Sequence, residues 1–350
     1  PNFDTAGSGK VVYDLVSGLD KTVFKPEICC FHDKGAFFKE IEALGVKIHV
    51  FKFTADYKPL VTLPFRILKI RKFFKRHKFD IIHSWHWSSD FTEPLAAKLA
   101  GIPFVYTKKA MGWGNKAWIW RSKLSTKIIA INSDMIRQFF TSMSDKVESI
   151  PLGVNTSYFS PDLQFDVLRE DLNLQTDDLV IISVANLVPV KGIEILLEAV
   201  KDLRQKVLIV GDYNNDYGSN LKSQYENETI QFLGKQQDVR PFINIADLFV
   251  ISTKSKGEGL PIAPLEAMAM GKIVIGSNVP GIKDILHDFP EYLFEASNIE
   301  QLKEKIEYIV TLKSEEHRTL SVNMRNYVEE QYDIINVISQ HQELYKRLAV

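Results

Sequence analysis

Short apolar segments alternate with helix-like segments along most of this chain, and that alternation constrains its fold more than any other feature. Apolar runs such as residues 179–184, 207–210 and 248–252 have the length of buried strands. Strands that are separated by helices predict parallel sheets with helices on both faces. The alternation stops between residues 153 and 178 and then restarts, so the sequence predicts two doubly wound α/β domains.

The predicted domains are residues 1–160, residues 161–332 and a C-terminal helix, 333–350, that packs back on the first domain. A chain of 350 residues fits two domains of ordinary size. Pro1 is followed directly by a glycine-containing turn and a helix, so we expect the first strand of the first domain to be missing from the sequence as given. Ligands of such sheets bind at the carboxyl ends of the strands, and two facing sheets are expected to form a cleft.

The predicted strands of the first half are 27–32, 47–53, 80–84, 104–106 and 127–132, and its predicted helices are 11–19, 37–44, 64–77 and 92–100. In the second half we predict strands at 179–184, 207–210, 230–233, 248–252 and 273–275, and helices at 193–201, 239–245 and 261–270. Three further helices, 299–312, 315–330 and 335–348, are predicted at the end of the chain.

The composition excludes several classes of protein. The two cysteines, Cys29 and Cys30, are adjacent, so they form no disulfide framework, and they lack metal-ligand spacing. No apolar run approaches the roughly 18–20 residues that span a bilayer, and no signal peptide is visible. A cytoplasmic protein is the expectation.

Charge is strongly segregated, although the whole chain has a formal net charge of −1. Residues 57–133 hold fifteen Lys and Arg but three acids, and they contain all five tryptophans. Within this window the predicted helix LPFRILKIRKFFKRHKF (63–79) carries seven bases and no acid. Such a region suggests an anionic partner, namely a membrane surface, a phosphorylated acceptor or a nucleic acid. An ordinary solvated basic face with core tryptophans is the alternative.

The segment KGEGLPIAPLEAMAMGKIVIGSNVPG (256–281) carries the most specific motif. It follows a predicted strand, and Pro261 suits the first turn of a helix. Gly259 allows backbone amides to approach a ligand closely. Glu266, in the first turn, can accept hydrogen bonds from a vicinal diol, as acids do from ribose in dinucleotide folds, and Glu258 can face a sugar hydroxyl or a developing positive charge.

A second strand-to-helix crossing, NLVPVKG (186–192), places Lys191 at the same rim, where a lysine neutralises a diphosphate as a point charge. Gly234 ends another predicted strand of that rim. The amides and Lys191 would take phosphates, and the carboxylates would take hydroxyls. The combination predicts a site for a nucleoside diphosphate that carries a sugar. A capped surface helix would explain Glu266 alone but not this convergence.

The segment AGSGK (6–10) is a weaker signal. It lacks the spacing of a phosphate-binding Walker motif and the third glycine of a dinucleotide fingerprint. We predict a close backbone turn that opens a helix, with Gly9 near the ligand.

Together these motifs resemble glycosyltransferase family 4, a retaining family with the two-domain GT-B fold (glycosyl transferases group 1). The resemblance covers nearly all of the second half and part of the first, and its most specific element is the pair Glu258 and Glu266. The matching segments are FDIIHSW (79–85), IPLGVNTSYFSPD (150–162), SVANLVPVKGIEILLEAV (183–200), LIVGD (208–212), FLGKQQDV (232–239) and 246–286.

The resemblance implies transfer of a sugar from a nucleotide-activated donor, such as a UDP- or GDP-sugar, with retention of anomeric configuration and without a metal ion. It implies that Lys191 holds the donor diphosphate, that Glu266 holds the ribose, and that Glu258, with Gly259 and Leu260 in its loop, faces the donor sugar. Backbone near Gly234 and Lys235 would receive the base. Glu258 and Lys191 are therefore the predicted catalytic residues, and no protein nucleophile is implied.

Two departures from the family pattern concern charge. Asn186 stands where relatives usually have an arginine that pairs with the lysine. After the strand at 104–107, where a histidine is common, this sequence has Lys109. His86 and Trp113, with Lys109, are the predicted acceptor-side residues of the first domain. His83 and His86 flank a strand end, and a structural role is the simpler interpretation for either alone.

We therefore expect a metal-independent glycosyltransferase that moves a hexose-type sugar to a glycan or lipid-linked acceptor and touches an anionic membrane. A soluble sugar or a protein as acceptor is an alternative. Two alternatives belong to other classes of protein. One is a catalytically silent GT-B module that binds nucleotide or glycan, and the other is a nucleic-acid binder. The last lacks any recognition motif among its bases, so no nucleic-acid partner is expected.

Overall fold

The computed structural model describes residues 2–4, 6–165, 169–254 and 258–349. By its contacts the chain divides into two compact units. The first contains the residues up to 153 together with those from 334 onward, and the second is Val154–Asp333.

Parallel strands form both sheets of the first unit. Its strands are β1 (Glu27–Cys30), β2 (Lys47–Val50), β3 (Ile82–Ser84), β4 (Phe104–Lys108), β5 (Lys127–Ala130) and β6 (Val147–Ser149). Its helices before residue 153 are α1 (Ala6–Gly18), α2 (Phe38–Glu42), α3 (Leu63–His77), α4 (Thr92–Ala100), α5 (Trp118–Leu124) and α6 (Ser133–Phe139). β1 pairs with β2, and a separate sheet has the order β3-β4-β5-β6.

The second unit is built around one six-stranded parallel sheet. Its strands are β7 (Val180–Val184), β8 (Lys206–Val210), β9 (Ile230–Gly234), β10 (Leu248–Ile251), β11 (Ile273–Ser277) and β12 (Leu293–Phe294). Its helices are α7 (Ile193–Val200), α8 (Asp216–Tyr225), α9 (Arg240–Ile245), α10 (Ala263–Ala269), α11 (Ile282–Ile285), α12 (Ile299–Thr311) and α13 (Ser314–Gln331). Every residue of β10 and β11 is buried, as expected for strands covered by helices on both faces.

The strand order of this sheet fixes where a ligand is expected to bind. The order is β12-β11-β10-β7-β8-β9, which is the doubly wound order of dinucleotide-binding folds. The connections run outward in opposite directions from the neighbouring strands β7 and β10, so a crevice opens at their carboxyl ends. The predicted fold class, two α/β domains with parallel sheets and C-terminal helices, is confirmed.

A final helix, α14 (Ile334–Leu348), belongs to the first unit. Its buried residues, Val337, Ile338, His341, Leu344 and Tyr345, recur at helical spacing and form one face. Ile338 packs in a cluster with Leu15 of α1 and with Leu19, which directly follows that helix. A Cβ atom on Gly18 would lie 2.3 Å from Ile338 Cδ1, so glycine allows the two helices to approach each other.

Most predicted elements are present within a few residues of their predicted bounds, but the short helices α5, α6, α8 and α11 and the short strands β6 and β12 were not predicted. These elements carry few buried apolar residues: α8 buries Gly218 and Leu221, and α5 buries Arg121 and Ser122. Hydrophobic periodicity therefore gives them no signal. Within the described ranges, no helix is both long and apolar enough to cross a bilayer.

A buried ion pair lies between α4 and α5. The guanidinium of Arg121 is fully buried, and its Nη1 lies 2.9 Å from Oε2 of Glu93. Arg121 also donates to Oγ of Ser84, at 2.9 Å, and to the carbonyl oxygen of Asp90, at 2.8 Å. Burial raises the pKa of the Glu93 carboxyl even though Arg121 stands beside it. Each of the two charged groups therefore depends on its hydrogen-bond partners to replace the water that burial removes.

We predict that Arg121→Met destabilises the first unit by about 3–5 kcal/mol, because it leaves the Glu93 carboxylate buried without its counter-ion. The double variant Arg121→Met/Glu93→Leu should recover most of that loss. All five tryptophans lie in the first unit, so tryptophan fluorescence during urea unfolding reports on it. Arg137→Met, which breaks an exposed pair with Asp134, is the control and should cost about 1 kcal/mol or less. A single Arg121 variant as stable as this control contradicts the prediction.

Candidate active site

The loops that follow β7 and β10 bring the two predicted catalytic side chains together. Nζ of Lys191 lies 2.6 Å from Oε2 of Glu258, and both side chains are largely shielded, with 21% and 16% of their surface exposed. Oε1 of Glu258 accepts a 2.7 Å hydrogen bond from Oγ1 of Thr253. Both carboxylate oxygens of Glu258 thus have fixed partners. The structure confirms the convergence that the sequence predicts for this rim of the sheet.

Backbone contacts hold the two loops against each other. Oγ of Ser252 donates to the carbonyl oxygen of Gly192 at 2.8 Å, and the Lys254 amide donates to the carbonyl of Val190 at 2.9 Å. Gly192 has a φ of +62°, and a Cβ atom there would lie 2.3 Å from the Ser252 carbonyl oxygen. Only glycine fits this turn, which is what allows Lys191 to stand directly before the first turn of α7.

A third loop supports the residues around Glu258. The Glu258 amide donates to the carbonyl of Pro280 at 3.3 Å. Gly281 has a φ of +82°, and a Cβ atom there would lie 2.4 Å from the Gly259 carbonyl oxygen. The turn after β11 therefore packs directly on the Glu258–Gly259 backbone. Lys256 and Gly257, which open the predicted motif, lie outside the described residues.

The two remaining donor residues of this motif lie in and just before α10. Glu266 is in the first turn of the helix and is half-buried, as predicted for an acid near a helix start. Leu260 is 5% exposed and packs into the domain rather than lining an open surface. The ribose-binding role of Glu266 and the donor role of Leu260 remain predictions.

The predicted base-binding residues lie at the end of β9. Gly234 has a φ of +71°, and a Cβ atom there would lie 3.5 Å from the ring of Tyr213. Lys235 beside it is exposed. Tyr213 was not predicted to be a site residue, although it follows β8 at the same edge of the sheet. Its ring offers a flat apolar surface beside Gly234 for a base.

Two further polar residues of this rim were missed in the sequence. Thr253 fixes Glu258, and Lys254 forms an ion pair with Glu194 in the first turn of α7. Asn186, where relatives usually carry an arginine, is exposed. The signal was available, since Thr253 and Lys254 directly follow a buried strand that neighbours β7 in the sheet.

In the first unit, two of the predicted acceptor-side residues carry perturbed ionisable groups. Burial lowers the pKa of His86 to about 3 and that of Lys109 to about 8. The His86 ring lies edge-on to Phe31 and Phe53, with centroids 5.7 and 5.9 Å away. Nδ1 of His86 is buried and has no hydrogen-bond partner among the described residues. A neutral His86 can therefore exchange a hydrogen bond with a ligand hydroxyl.

Trp113 and the neighbouring Lys108 form one aromatic cluster. The Trp113 ring stacks on Trp118, with centroids 4.9 Å apart and planes 8° from parallel. Lys108, which was not predicted, is 2% exposed, and its Nζ lies 4.0 Å from the Trp113 ring centroid. Burial lowers its pKa to about 7. Nζ also donates to the Gly112 carbonyl oxygen at 2.7 Å, so Lys108 shapes the loop that carries Trp113.

Two other candidate residues, His83 and Gly9, lie in contacts that hold the first unit together. Nδ1 of His83 lies 2.5 Å from the Tyr345 hydroxyl, and Nε2 lies 2.8 Å from Oγ1 of Thr107, so this ring joins α14 to β4. The turn predicted at residues 6–10 is wrong, because these residues already belong to α1. Gly9 is buried there, and a Cβ atom on it would lie 3.0 Å from the Phe37 ring. The donor role of Gly9 remains a prediction.

Two family models match nearly the whole chain. The model described as Glycosyltransferase Family 4 matches residues 5–158, and that described as Glycosyl transferases group 1 matches residues 164–329.

Named relatives resemble the chain over most of its length. A UDP-Gal:alpha-D-GlcNAc-diphosphoundecaprenol alpha-1,3-galactosyltransferase from Escherichia coli is 26% identical, with 81% of this chain and 79% of the relative covered. An N,N'-diacetylbacillosaminyl-diphospho-undecaprenol alpha-1,3-N-acetylgalactosaminyltransferase from Campylobacter jejuni is 25% identical, with coverage of 93% and 92%.

Among solved structures, Anabaena Alr3699/HepE in complex with UDP-glucose is similar in fold. It superposes with a TM-score of 0.80 at 18% identity, covering 99% of this chain and 97% of the other. This similarity shows the GT-B fold, and the two family matches show that the chain belongs to glycosyltransferase family 4.

Proposed function

We propose that the chain transfers a hexose-type sugar, with retention, from a UDP-sugar to a lipid-linked acceptor in the synthesis of a surface polysaccharide or glycolipid. The observation that supports binding of the sugar donor is the Lys191–Glu258 pair at the carboxyl ends of β7 and β10. UDP is favoured over GDP by analogy with the E. coli relative, whose name gives UDP-Gal, and with the Anabaena structure that holds UDP-glucose.

The proposed donor pose uses the charges of this rim. Lys191 leaves Glu258 to neutralise the diphosphate, which also meets the amino-terminal end of α7. Glu258 stays oriented by Thr253 and faces the sugar. Lys254, next to the same turn, is proposed as the second cation in place of the arginine that Asn186 replaces. Glu266 takes the ribose hydroxyls, and the base lies against the surface that Gly234 and Tyr213 form together.

In the proposed reaction the anomeric carbon–phosphate bond breaks while the acceptor oxygen attacks the same face. The acceptor hydroxyl gives its proton to the leaving phosphate, so configuration is retained without a protein nucleophile. Lys191 stabilises the negative charge that develops on the diphosphate, and the Glu258 carboxylate stabilises the oxocarbenium-like sugar. No metal ion is assigned to this step, and the absence of any Asp-x-Asp in the sequence supports that choice.

The proposed acceptor carries a diphosphate and a lipid. Two relatives are named as enzymes that act on sugars linked to diphosphoundecaprenol. The first unit contains Lys109, which is largely protonated below its pKa of about 8 and can contact a phosphate. His86, neutral in this range, can accept a hydrogen bond from a neighbouring, non-reacting hydroxyl of the acceptor. Trp113 would contact the acceptor through its ring edge, because Trp118 and Lys108 lie over its ring.

We further propose that α3 rests on an anionic bilayer. One face of α3 is buried through Ile67, Ile70 and Phe74. The opposite side exposes apolar side chains near its start, where Val61 and Phe65 are 85% and 72% exposed, and Leu68 extends this patch. The exposed bases of the helix follow towards its end: Lys69, Lys72, Lys75 and Arg76. Apolar insertion beside lysines is the pattern of an interfacial helix.

The donor site is tested by UDP release from a panel of UDP-hexoses with a diphosphate-lipid acceptor. Lys191→Ala should lower kcat/KM by about 100-fold or more, because one charge-stabilising donor is lost. Thr253→Val should lower it by about tenfold through loss of one hydrogen bond to Glu258. Lys201→Ala, an exposed lysine of the same unit, should leave it unchanged.

Three outcomes of this assay contradict the proposal in different ways. UDP binding without turnover would indicate a silent module. If the Lys191→Ala variant turns over the donor as fast as the wild type, Lys191 is not part of the donor site. Transfer to soluble sugars alone would remove the lipid-linked acceptor.

The membrane surface is tested by flotation with vesicles that contain phosphatidylglycerol. Lys69→Gln/Lys72→Gln should weaken binding by about 10- to 30-fold at low salt, since each base near the surface contributes about 1 kcal/mol. Phe65→Ser should weaken binding to the same vesicles without changing its salt dependence. Lys201→Gln, which removes one exposed charge of the second unit, serves as the control. Equal flotation of all variants, or equal binding to neutral vesicles, contradicts this surface.

A further inference from the structure

Three metal-ligand side chains from separate elements of the first unit converge at a point that the proposed reaction does not use. They are Glu27 on β1, His49 on β2 and His77 in the last turn of α3. One ligand atom of each lies within 4.8 Å of the other two. Nε2 of His49 is 2.5 Å from Oε2 of Glu27, and the His49 and His77 ring centroids are 4.4 Å apart.

The fold determines this convergence. In the parallel β1–β2 pair, Glu27 lies opposite Lys47 and Cys29 lies opposite His49. Glu27 and His49 are therefore diagonal neighbours on one face of the pair. His77 reaches the same point from α3. The three ligands thus come from segments more than twenty residues apart in the sequence.

Aromatic rings hold both imidazoles in place. The His49 ring lies edge-on to Phe73 and Phe79, with centroids 5.4 and 5.8 Å away. The His77 ring stacks on Phe79 at 5.7 Å and contacts Phe73 at 4.6 Å. An apolar shell of this kind fixes ring orientation and limits access of water to a metal centre.

We propose that Glu27, His49 and His77 bind a zinc ion that clips the carboxyl end of α3 to the β1–β2 pair. Two imidazoles and one carboxylate form a ligand set that suits Zn²⁺ and leaves a fourth position for water. Bonds of roughly 2.0–2.2 Å require the His49 and Glu27 atoms to separate and His77 to turn inward, by rotations about side-chain bonds. The carboxyl end of a helix also favours a cation.

One competing cation is present. Nζ of Lys47 lies 3.4 Å from Oε2 of Glu27, but its side chain is 58% exposed on a flexible stem. An exposed ion pair of this kind is weak, so the lysine can move into solvent when the ion binds. The proposed zinc ion stabilises the packing of α3 on the β1–β2 pair and takes no part in sugar transfer. It rests on these three residues and not on the proposed function.

The test is titration of the tag-free, chelator-treated full chain with Zn²⁺ by calorimetry, and with Co²⁺ by visible absorption. We expect one ion per chain and the intense bands of four-coordinate Co²⁺. Zn²⁺ should also raise the thermal midpoint, because it binds the native state. His77→Ala should weaken binding by about 100-fold or more, since loss of an outer partner alone costs 10- to 100-fold. His287→Ala, an exposed histidine of the second unit, is the matched control.

Two results overturn the proposal. One is the absence of stoichiometric Zn²⁺ binding by the folded wild-type chain, which would leave the cluster as a hydrogen-bonded histidine–glutamate pair. The other is undiminished binding by His77→Ala. If that variant does not fold, the nearly isosteric Glu27→Gln decides, because it removes the anionic ligand with little change in shape. In that case undiminished binding by Glu27→Gln takes the place of undiminished binding by His77→Ala as the second result.

Discussion

The donor site depends on one topological constraint, the divergence of the chain from the adjacent strands β7 and β10. Because both strands end at the same edge, the loops that follow them must meet, and Lys191 and Glu258 meet there at 2.6 Å. Gly192 allows the first loop to pack closely on the second, and Gly281 allows the turn after β11 to pack closely on Gly259. The opposite charges are thus largely shielded from bulk water, and in the proposed function they separate when a diphosphate binds.

In the first unit, polar groups are buried in larger numbers. Arg121 with Glu93 and His83 with Thr107 are enclosed by helices and strands, and both pairs are joined by hydrogen bonds. Lys108 is enclosed in the same way. These groups cost desolvation free energy, so their partners are part of the fold. The outward face of α3 differs, since it leaves both apolar and basic side chains in solvent.

The second unit was predictable from the sequence because its strands are continuous apolar runs and its site residues follow them directly. The meeting of Lys191 and Glu258 was predicted in this way. Thr253 also follows a predicted strand, but its residue type alone did not single it out as a partner of Glu258. The first unit was less predictable. Helix α5 buries Arg121 and Ser122 and exposes Ile119 and Trp120, which is the reverse of the usual pattern. The glycines at residues 7 and 9 suggested a turn where the chain is helical. The pairing of Glu27 with His49 depends on strand register, which no local pattern reveals.

The most direct measurement is a crystal structure of the chain with an unhydrolysed UDP-sugar. We predict that Nζ of Lys191 has left Glu258 and lies within hydrogen-bond distance of the diphosphate. We also predict that Glu258, still bonded to Thr253, faces the sugar and that Glu266 accepts from the ribose hydroxyls. A nucleotide bound at another edge of the sheet, or a Lys191–Glu258 pair unchanged beside the bound donor, would contradict these predictions.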